Sequence, residues 1–531
     1  MFDKKRQLIN TWIVIQKVKS FGINGIDGYQ VDVEVDISKG LPNYLLVGLP
    51  DTSVKESKER VQSAIRNSGL KFPYSRIVVN LAPANTRKEG ALYDLPIAIG
   101  ILLCAQMVDS DKASEFAYVG ELGLDGELRR VNGVLPALIT AGKLGIKKVI
   151  VPKENADEAA FIQGVTVFTA STLRDVVDAL NGVSTNGIQR VEKKNFEEIK
   201  RTTKHTLDMK YVRGQFIAKR ALEIAAAGGH NILLIGPPGS GKTMLAKCFP
   251  TILPDLSFEE SIESSKIHSI AGTLDSASGI IASRPFRTPH HTASIIALAG
   301  GGKNAKPGEI SLAHHGVLFL DEMPEYPRAS LEMLRQPLED NSITIARINA
   351  TIDYPAAFTL IASMNPCPCG NYGSRIQKCN CRPIAIQKYL SRLSGPLMDR
   401  IDLHIEVDSV TYDDLSKKDL GEESAEVKKR VDKARKIQLQ RFGASGVFSN
   451  AKMTESGVKE YCNLDSKSEK VLREAFEKLN LSARAYSRIL RVARTIADME
   501  ECENITPDHV AEAVGYRSLD RKYSQGLGGS G

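Results

Sequence analysis

Long hydrophobic runs are missing from this chain of 531 residues. No apolar stretch reaches the roughly 18 residues that a membrane-spanning helix requires, and the segment Met1–Arg6 is not followed by a signal-peptide cleavage pattern. Aromatic residues are also scarce, at 6% with a single tryptophan, so no platform for stacking the bases of a single strand is evident. We therefore expect a cytoplasmic protein without membrane partners.

A strong charge of either sign is missing as well. The 70 lysines and arginines exceed the 63 aspartates and glutamates by 7, which permits binding to a polyanion without demanding it. The hydrophobic fraction of 42% and the charged fraction of 25% are ordinary for globular proteins. The length suffices for about two to four domains, each with its own core.

The most informative feature that is present is a glycine-rich segment between an apolar run and a helical pattern. Its residues are Gly236, Pro237, Pro238, Gly239, Ser240, Gly241, Lys242 and Thr243. Glycines let backbone N–H groups turn toward a phosphate, the lysine reaches the β- and γ-phosphates, and the threonine hydroxyl binds Mg²⁺ at the positive end of a helix. The segment predicts a site for a nucleoside triphosphate, taken to be ATP, with Mg²⁺.

Polar residues also end two further apolar runs. Asp321 and Glu322 end the run that starts at Gly316, where the aspartate can hold the Mg²⁺ shell and the glutamate can polarise a water. Asn365 ends the run from Phe358, and its amide can orient that water against the γ-phosphate. Such runs are typical of parallel strands, whose ligands lie at the carboxyl ends, so the pattern predicts hydrolysis at one edge of an open α/β sheet.

With these motifs the chain resembles the AAA+ ATPases of the magnesium-chelatase-like clade, and specifically the ComM/YifB family, over nearly its whole length. Besides the phosphate loop and the acidic pair, the resemblance rests on four segments, which are 284–291, 363–370, 393–402 and 483–490. It implies a ring-forming, hexameric, ATP-driven DNA motor. Such a motor assists branch migration during homologous recombination, notably of DNA taken up in natural transformation.

The resemblance also implies roles for three arginines. Arg400 resembles the arginine finger that this clade points into the nucleotide site of a neighbouring subunit, and Arg484 resembles the sensor-2 arginine, with Arg488 as the fallback. A guanidinium at a subunit boundary stabilises charge on the transferred phosphoryl group and couples hydrolysis to ring geometry. Without the family pattern, a surface salt bridge is the ordinary expectation for any of them.

Four of the eight cysteines fall within fifteen positions, as Cys367, Cys369, Cys379 and Cys381. In a cytoplasmic protein disulfides are disfavoured, so two close pairs joined by a short loop indicate tetrahedral Zn²⁺ ligands. A redox role, packed free thiols and an iron–sulfur cluster stay open as alternatives. The resembled family carries this cluster too, which favours zinc in a structural role.

The first part of the chain resembles the peptidase domain of Lon, on the segments 120–128 and 145–155. In the Lon pattern a catalytic serine is activated by a lysine, and the corresponding positions here are Leu92 and Leu135. Neither 90–94 nor 132–135 contains a serine or a lysine. Since the serine needs its base, we expect no peptidase activity from this domain.

We expect an α/β multidomain protein with five divisions. They are a Lon-peptidase-like α/β domain at 1–180, a linker at 181–208, an AAA+ P-loop parallel-sheet core with a zinc-type insertion at 209–408, a C-terminal helical lid at 409–520 and a glycine-rich tail at 521–531. Segments that resemble the pore-lining insertions of such rings supply the candidates for DNA contact, which are Arg284, Arg287, Lys303, Lys306 and Arg347.

Two other functions compete with the DNA motor. A motor of the chelatase type would use ATP to remodel a protein partner during metal insertion into a tetrapyrrole, and an ATP-dependent peptidase would cut proteins. The cysteine cluster and the Lon-like domain fit the ComM/YifB family better than the shorter chelatase subunits, and Leu92 and Leu135 speak against the peptidase.

Overall fold

The computed structural model describes residues 15–184, 186–202, 206–275, 277–302, 305–347, 350–373, 377–409, 421–443, 446–479 and 481–517. The expected tail at 521–531 and Lys303 lie outside the described residues. The chain divides into unit 1, which comprises Met1–Arg201 and Ser261–Ala282, and unit 2, which comprises Thr202–Glu260 and Ser283–Gly531. Residues 261–282 lie within the expected ATPase core in sequence but cluster with unit 1.

Unit 1 is built on an eight-stranded mixed sheet with the strand order β10-β9-β8-β5-β1-β2-β4-β3, and β6 and β7 form a separate ribbon. The strands are β1 (Gln16–Asn24), β2 (Asp27–Ser38), β3 (Asn43–Val47), β4 (Arg76–Ala82), β5 (Phe116–Tyr118), β6 (Glu121–Leu122), β7 (Leu128–Arg129), β8 (Lys148–Pro152), β9 (Thr166–Ala170) and β10 (Ile188–Arg190). The helices are α1 (Thr52–Lys55), α2 (Ser57–Asn67), α3 (Asp94–Cys104), α4 (Ser110–Ser114), α5 (Val134–Lys143), α6 (Ala156–Ala159), α7 (Leu173–Leu180) and α8 (Phe196–Thr202).

The core of unit 1 follows from the side-chain pattern of its elements. Along β2, Val31, Val33 and Val35 are fully buried and alternate with polar residues, as expected for a strand with one face covered. Helix α3 is apolar on almost all sides and is buried through most of its length. Helix α7 begins with a capping box between Thr172 and Asp175, which satisfies two backbone N–H groups at its first turn.

Unit 2 contains a five-stranded sheet with the strand order β12-β15-β18-β11-β19, in which every neighbouring pair is parallel. Its strands are β11 (Ile232–Ile235), β12 (Phe286–Arg287), β15 (Val317–Leu320), β18 (Thr359–Met364) and β19 (Leu403–Glu406). Two hairpins stand outside this sheet, formed by β13 (Gly300–Gly301) with β14 (Lys306–Pro307) and by β16 (Ser342–Arg347) with β17 (Ala350–Pro355).

The helices of unit 2 flank the sheet and then dominate the C-terminal part. They are α9 (Phe216–Gly228), α10 (Lys242–Cys248), α11 (Phe258–Ala271), α12 (Ile295–Ala299), α13 (Glu309–Leu312), α14 (Arg328–Glu332), α15 (Arg335–Asp340), α16 (Pro383–Leu390), α17 (Gly395–Met398), α18 (Ser424–Phe442), α19 (Glu455–Tyr461), α20 (Ser466–Leu479), α21 (Ala483–Met499) and α22 (Pro507–Gly515). Helix α11 begins in unit 2 and continues into the segment that clusters with unit 1. Strands β11, β15 and β18 are almost wholly buried, which explains why their sequences are nearly continuous apolar runs.

Within the described residues, no helix combines the length and the apolar character that crossing a membrane requires.

Candidate functional site

The carboxyl ends of three neighbouring strands bring the predicted nucleotide-binding residues to one edge of the sheet. Gly236 follows β11, Asp321 follows β15 and Asn365 follows β18, and these strands stand next to one another in the order β15-β18-β11. The N–H of Gly236 donates to the carbonyl of Met364 at 3.1 Å, so the phosphate loop starts against the end of β18. Parallel strands that end together create this convergence.

The phosphate loop takes a conformation that requires its glycines. Gly239 and Gly241 have φ angles of +77° and +89°, and a Cβ on Gly236 would lie 2.2 Å from the carbonyl oxygen of Val407. Lys242 Nζ donates to the carbonyls of Gly236 and Pro237 at 2.8 Å each, from the first turn of α10. These bonds turn the ammonium into the loop, where a phosphate oxygen can take the place of the carbonyls.

Lys242 also connects the loop to the polar ends of the other strands. Its Nζ lies 3.4 Å from Asn365 Oδ1. Burial lowers the pKa of Lys242, and the charges of Asp321 and Glu322 oppose that effect. The site therefore presents a largely buried ammonium beside an amide and two carboxylates, which suits a bound triphosphate with its cation.

Oxygen atoms fit for Mg²⁺ lie beside the lysine. Thr243 Oγ1 donates to Asp321 Oδ2 at 2.9 Å, and the hydroxyl of Ser363 donates to Asp321 Oδ1. Glu322 is exposed and has a φ of +52°, and its N–H donates to Ser363 Oγ at 3.2 Å. A hydroxyl and a carboxylate are hard oxygen donors of the kind that Mg²⁺ prefers, so these residues fit the cation that the phosphate loop predicts.

Two residues of this site were missed by the sequence analysis. Ser363 is fully buried and bonds both members of the acidic pair, and its sequence signals are its position two residues before Asn365 and its place at the start of the segment 363–370. Gln215 has a φ of +56°, and its Nε2 donates to the carbonyls of Ser240 at 3.2 Å and Asp408 at 2.6 Å. Gln215, which immediately precedes α9, thus connects the phosphate loop to the segment that follows β19.

Arg400 and Arg488 lie at the opposite edge of the sheet from the phosphate loop. Arg488 Nη1 donates to the carbonyl of Arg400 at 3.1 Å and forms an ion pair with Asp402. Asp402 immediately precedes β19, and its Oδ2 accepts from the N–H of Asn231, which immediately precedes β11, at 3.0 Å. Since β11 has four residues, about 13 Å of strand separates these groups from Gly236.

Arg400 is buried in the isolated chain, with 4% of its surface exposed. It pairs with Glu339, and its Nη1 donates to the carbonyl of Pro396 at 2.6 Å. The hydrogen bond from Arg400 lowers the pKa of Glu339, and the charges of Arg484 and Arg335 add to the effect. Arg484 is exposed on the first turn of α21, so three arginines surround one half-exposed carboxylate on this face.

The ion pair of Asp402 anchors this edge of the sheet. Burial raises the pKa of Asp402, but Arg488 and His230 more than offset that effect and bring the pKa well below its usual range. Asn231 Nδ2 also donates to the carbonyl of Arg400 at 3.1 Å. The strand that carries the phosphate loop at one end therefore holds the segment of Arg400 at the other.

The four cysteines predicted to bind a metal come together. All four Sγ atoms lie within 4.8 Å of one another, and the separations among Cys367, Cys369 and Cys379 are 3.4, 3.7 and 3.7 Å. Four sulfurs placed about 2.3 Å from a central Zn²⁺ in a tetrahedron are separated by about 3.8 Å. The cluster fits such an ion in size, in ligand number and in donor type.

Backbone groups support the cysteine cluster, as is common around metal ligands. The N–H of Tyr372 donates to Cys367 Sγ at 3.3 Å, and the N–H of Cys381 donates to Cys379 Sγ at 3.4 Å. Four thiolates leave no open coordination position, so the cluster suits a structural rather than a catalytic metal.

The candidates for DNA contact differ in how their side chains are engaged. Arg284 donates to the carbonyls of Pro254 and His315 at 2.5 and 2.7 Å, and Arg287 forms a bidentate ion pair with Glu309 at 2.6 and 2.7 Å. Lys306 is exposed on β14. Lys303 and the side chain of Arg347 lie outside the described residues.

The two positions of unit 1 that correspond to the catalytic serine and lysine of Lon are occupied by buried leucines. Leu92 is 7% exposed and Leu135 is fully buried, and both belong to the same apolar cluster, which also contains Phe21 and Val119. Two leucines packed into one core cannot supply a nucleophile and its base.

Three family models match successive parts of the chain. The model described as magnesium chelatase, subunit ChlI, matches residues 208–415, that of subunit ChlI of Mg-chelatase matches 33–155, and that of the ChlI C-terminal part matches 421–517. Residues 208–415 contain every residue predicted above for the nucleotide site except Arg484 and Arg488, which lie on α21.

Relatives match over almost the whole chain. Competence protein ComM of Haemophilus influenzae is 46% identical over 502 residues, which cover 94% of this chain and 96% of the relative, and the uncharacterized protein YifB of Escherichia coli is 46% identical over 498 residues with the same coverage. Lon protease 2 of Bacillus subtilis is 29% identical over 127 residues, which is 24% of this chain and 22% of the protease. The chain therefore belongs to the ComM/YifB family of magnesium-chelatase-like proteins.

Proposed function

We propose that this protein is an ATP-hydrolysing, ring-forming AAA+ DNA motor, a helicase that drives branch migration and assists homologous recombination, notably in natural transformation. The observation that carries the ATPase part is the convergence of Lys242, the Thr243–Asp321 pair, Glu322 and Asn365 at one sheet edge. The DNA part rests on the 46% identity to a competence protein.

Each of these residues has a separate role in ATP hydrolysis. The loop N–H groups and Lys242 hold the phosphates, while Thr243 and Asp321 hold Mg²⁺, which neutralises charge on the β- and γ-phosphates when it is bound. Glu322 is exposed beside them and accepts a proton from the attacking water. Asn365, which reaches Lys242, orients that water at the γ-phosphate.

The arginines act between subunits in this proposal. Arg400 and Arg488 stand about 13 Å of strand away from their own phosphate loop, so neither serves it in this conformation. In a ring, one subunit can present Arg400 and Arg484 to the phosphate loop of the next subunit, so that both arginines contribute to the neighbour's site. We propose that the ring is a hexamer. Arg400 then leaves Glu339 for the γ-phosphate of its neighbour.

The remaining parts take supporting roles. Helices α18 to α22 form the lid, residues 181–208 link the two domains, and the Lon-like domain has a docking rather than a peptidase role. A structural Zn²⁺ in the cysteine cluster braces the turn after β18. The protein works in the cytoplasm, where thiolate ligands stay reduced.

The chelatase-type motor is the second candidate, because all three family models that match are those of a magnesium chelatase subunit. The two functions differ in what stimulates ATP turnover. A DNA motor responds to a four-way junction, whereas a chelatase-type motor responds to a protein partner.

The experiment that decides is a measurement of ATP turnover with and without a synthetic four-way junction, across a range of salt. We expect the junction to raise turnover and its binding to weaken steeply with salt, because lysine and arginine contacts release counterions from the phosphates. Glu322→Gln is the matched control, since it should bind ATP and the junction without turnover. A wild-type protein that hydrolyses ATP at one rate with or without any DNA contradicts the DNA motor.

A further inference from the structure

The turn that holds the first two cysteines lies directly against the phosphate loop. Gly370, one residue after Cys369, has a φ of +82°, and a Cβ built on it would lie 2.3 Å from Cδ and 2.9 Å from Cγ of Pro238. Carbon atoms in contact are normally about 3.5–4.0 Å apart, so this position has room for a glycine alone. The backbone of the turn at Gly370 therefore packs directly against Pro238 of the phosphate loop.

A second connection joins the two elements at their base. Asn365, which precedes Cys367 by two residues, lies 3.4 Å from Lys242 Nζ. The carbonyl just before it, that of Met364, accepts from the N–H of Gly236 at 3.1 Å. The residues from 364 to 370 therefore touch the phosphate loop at its start, at its lysine and at its outer turn.

The conformation of residues 364–370 depends on how the four cysteines are held together. Cys367 is fully buried and its Sγ accepts from the N–H of Tyr372, whereas Cys369 is exposed and its Sγ interacts with the backbone of Asn371 and Asn380 and with the neighbouring sulfurs. A bound metal ion cross-links the four sulfurs, whereas free thiols are weak hydrogen-bond partners and thiolates at these distances repel one another. Loss of the ion should loosen the turn and its contact with Pro238.

We propose that the cysteine cluster is a metal-dependent positioning device for the nucleotide site, in which the ion bound by Cys367, Cys369, Cys379 and Cys381 sets the affinity of the phosphate loop for ATP through Gly370 and Asn365. The inference rests on the proposed metal and nucleotide sites and adds an energetic coupling between them. Such coupling is reciprocal, so the factor by which the metal raises nucleotide affinity equals the factor by which the nucleotide raises metal affinity.

Two titrations of the full chain test the coupling. The dissociation constant of a fluorescent, slowly hydrolysed ATP analogue is measured with one equivalent of Zn²⁺ and after removal of metal by a chelator. The affinity for Zn²⁺ is measured by competition with a chelating dye, with and without the analogue. We expect each affinity to rise by the same factor, about fivefold or more. Equal nucleotide affinity with and without the metal overturns the coupling.

A glycine variant tests the contact without removal of the metal. Gly370→Ala should weaken binding of the analogue at least severalfold and keep one Zn²⁺ per chain, because its ligands are unchanged. Gly446→Ala is the matched control, since Gly446 has a similar φ of +76° but no atom of the described residues within 4 Å of an added Cβ. Equal loss of affinity in both variants overturns the contact as the route of coupling.

The outcomes separate this inference from the proposals beneath it. A chain that takes up no metal but still binds the analogue refutes the metal site and the coupling together, and leaves the ATPase proposal standing. Failure of the wild-type chain to bind the analogue refutes the nucleotide site itself. Should the metal-free chain unfold, the comparison of Gly370→Ala with Gly446→Ala in the metal-loaded state decides.

Discussion

Replacement of Arg400 by alanine tests the proposed division of the active site between subunits. Arg400 lies at the edge of the sheet opposite the phosphate loop of its own chain, about 13 Å of strand away. A finger of this kind contributes about 10³–10⁵ in the rate of phosphoryl transfer, which corresponds to about 4–7 kcal/mol of transition-state stabilisation. We therefore expect Arg400→Ala to bind ATP normally and to hydrolyse it at least about a thousandfold more slowly.

The fold should survive this change. The partner of Arg400, Glu339, is 52% exposed and can turn to water when the guanidinium is removed. Arg473→Ala is a suitable control, because Arg473 is an exposed helix residue that pairs with the exposed Glu469 one turn earlier. It should leave both ATP binding and hydrolysis unchanged.

Mixing two inactive variants gives the sharper measurement. Arg400→Ala keeps an intact phosphate loop, and Lys242→Ala keeps an intact finger, so an interface that combines them in the right order is complete. In a random 1:1 mixture about one quarter of interfaces are of this kind, whatever the size of the ring. Turnover near one quarter of the wild-type value is expected if the sites are independent. A mixture no more active than its parts, or a monomer with full activity, refutes the finger in trans.

Further predictions concern single sites. Lys242→Ala should weaken ATP binding, whereas Glu322→Gln should keep ATP bound and lose hydrolysis, as filter binding and phosphate release would record, and normal turnover by Glu322→Gln would contradict its role. Elemental analysis should find about one zinc per chain and none after joint replacement of Cys367 and Cys379 by serine, and iron in its place would refute zinc. Burial raises the pKa of Asp94 in unit 1 from 3.8 to about 6. The folded state thus binds this proton more tightly than the unfolded state, so this contribution to stability is present below about pH 4 and is lost as the pH rises through about 6, by about 3 kcal/mol in all. Urea unfolding of Asp94→Asn should lack this slope, and an unchanged slope would contradict it.

The phosphate loop and the polar residues at the strand ends could be predicted from the sequence. Gly239 and Gly241 adopt positive φ angles that other residues rarely take, and Lys242 opens a helix directly after them, so the local sequence fixes the local structure. Asp321 and Asn365 follow fully apolar runs, which are the mark of buried parallel strands. Local rules suffice wherever a motif lies within one strand, turn and helix.

Which of these strand ends lie next to one another could not be predicted from the sequence and depends on how the unit packs. The order β12-β15-β18-β11-β19 depends on how buried faces pack across the whole unit, and no local pattern reports it. With that order, Ser363 hydrogen-bonds to Asp321 at the edge that contains the phosphate loop. Arg400 and Arg488 lie beside Asp402 at the opposite edge. It also carries the cysteine turn to Pro238, since Gly370 and the phosphate loop are more than a hundred residues apart in sequence and meet only through packing.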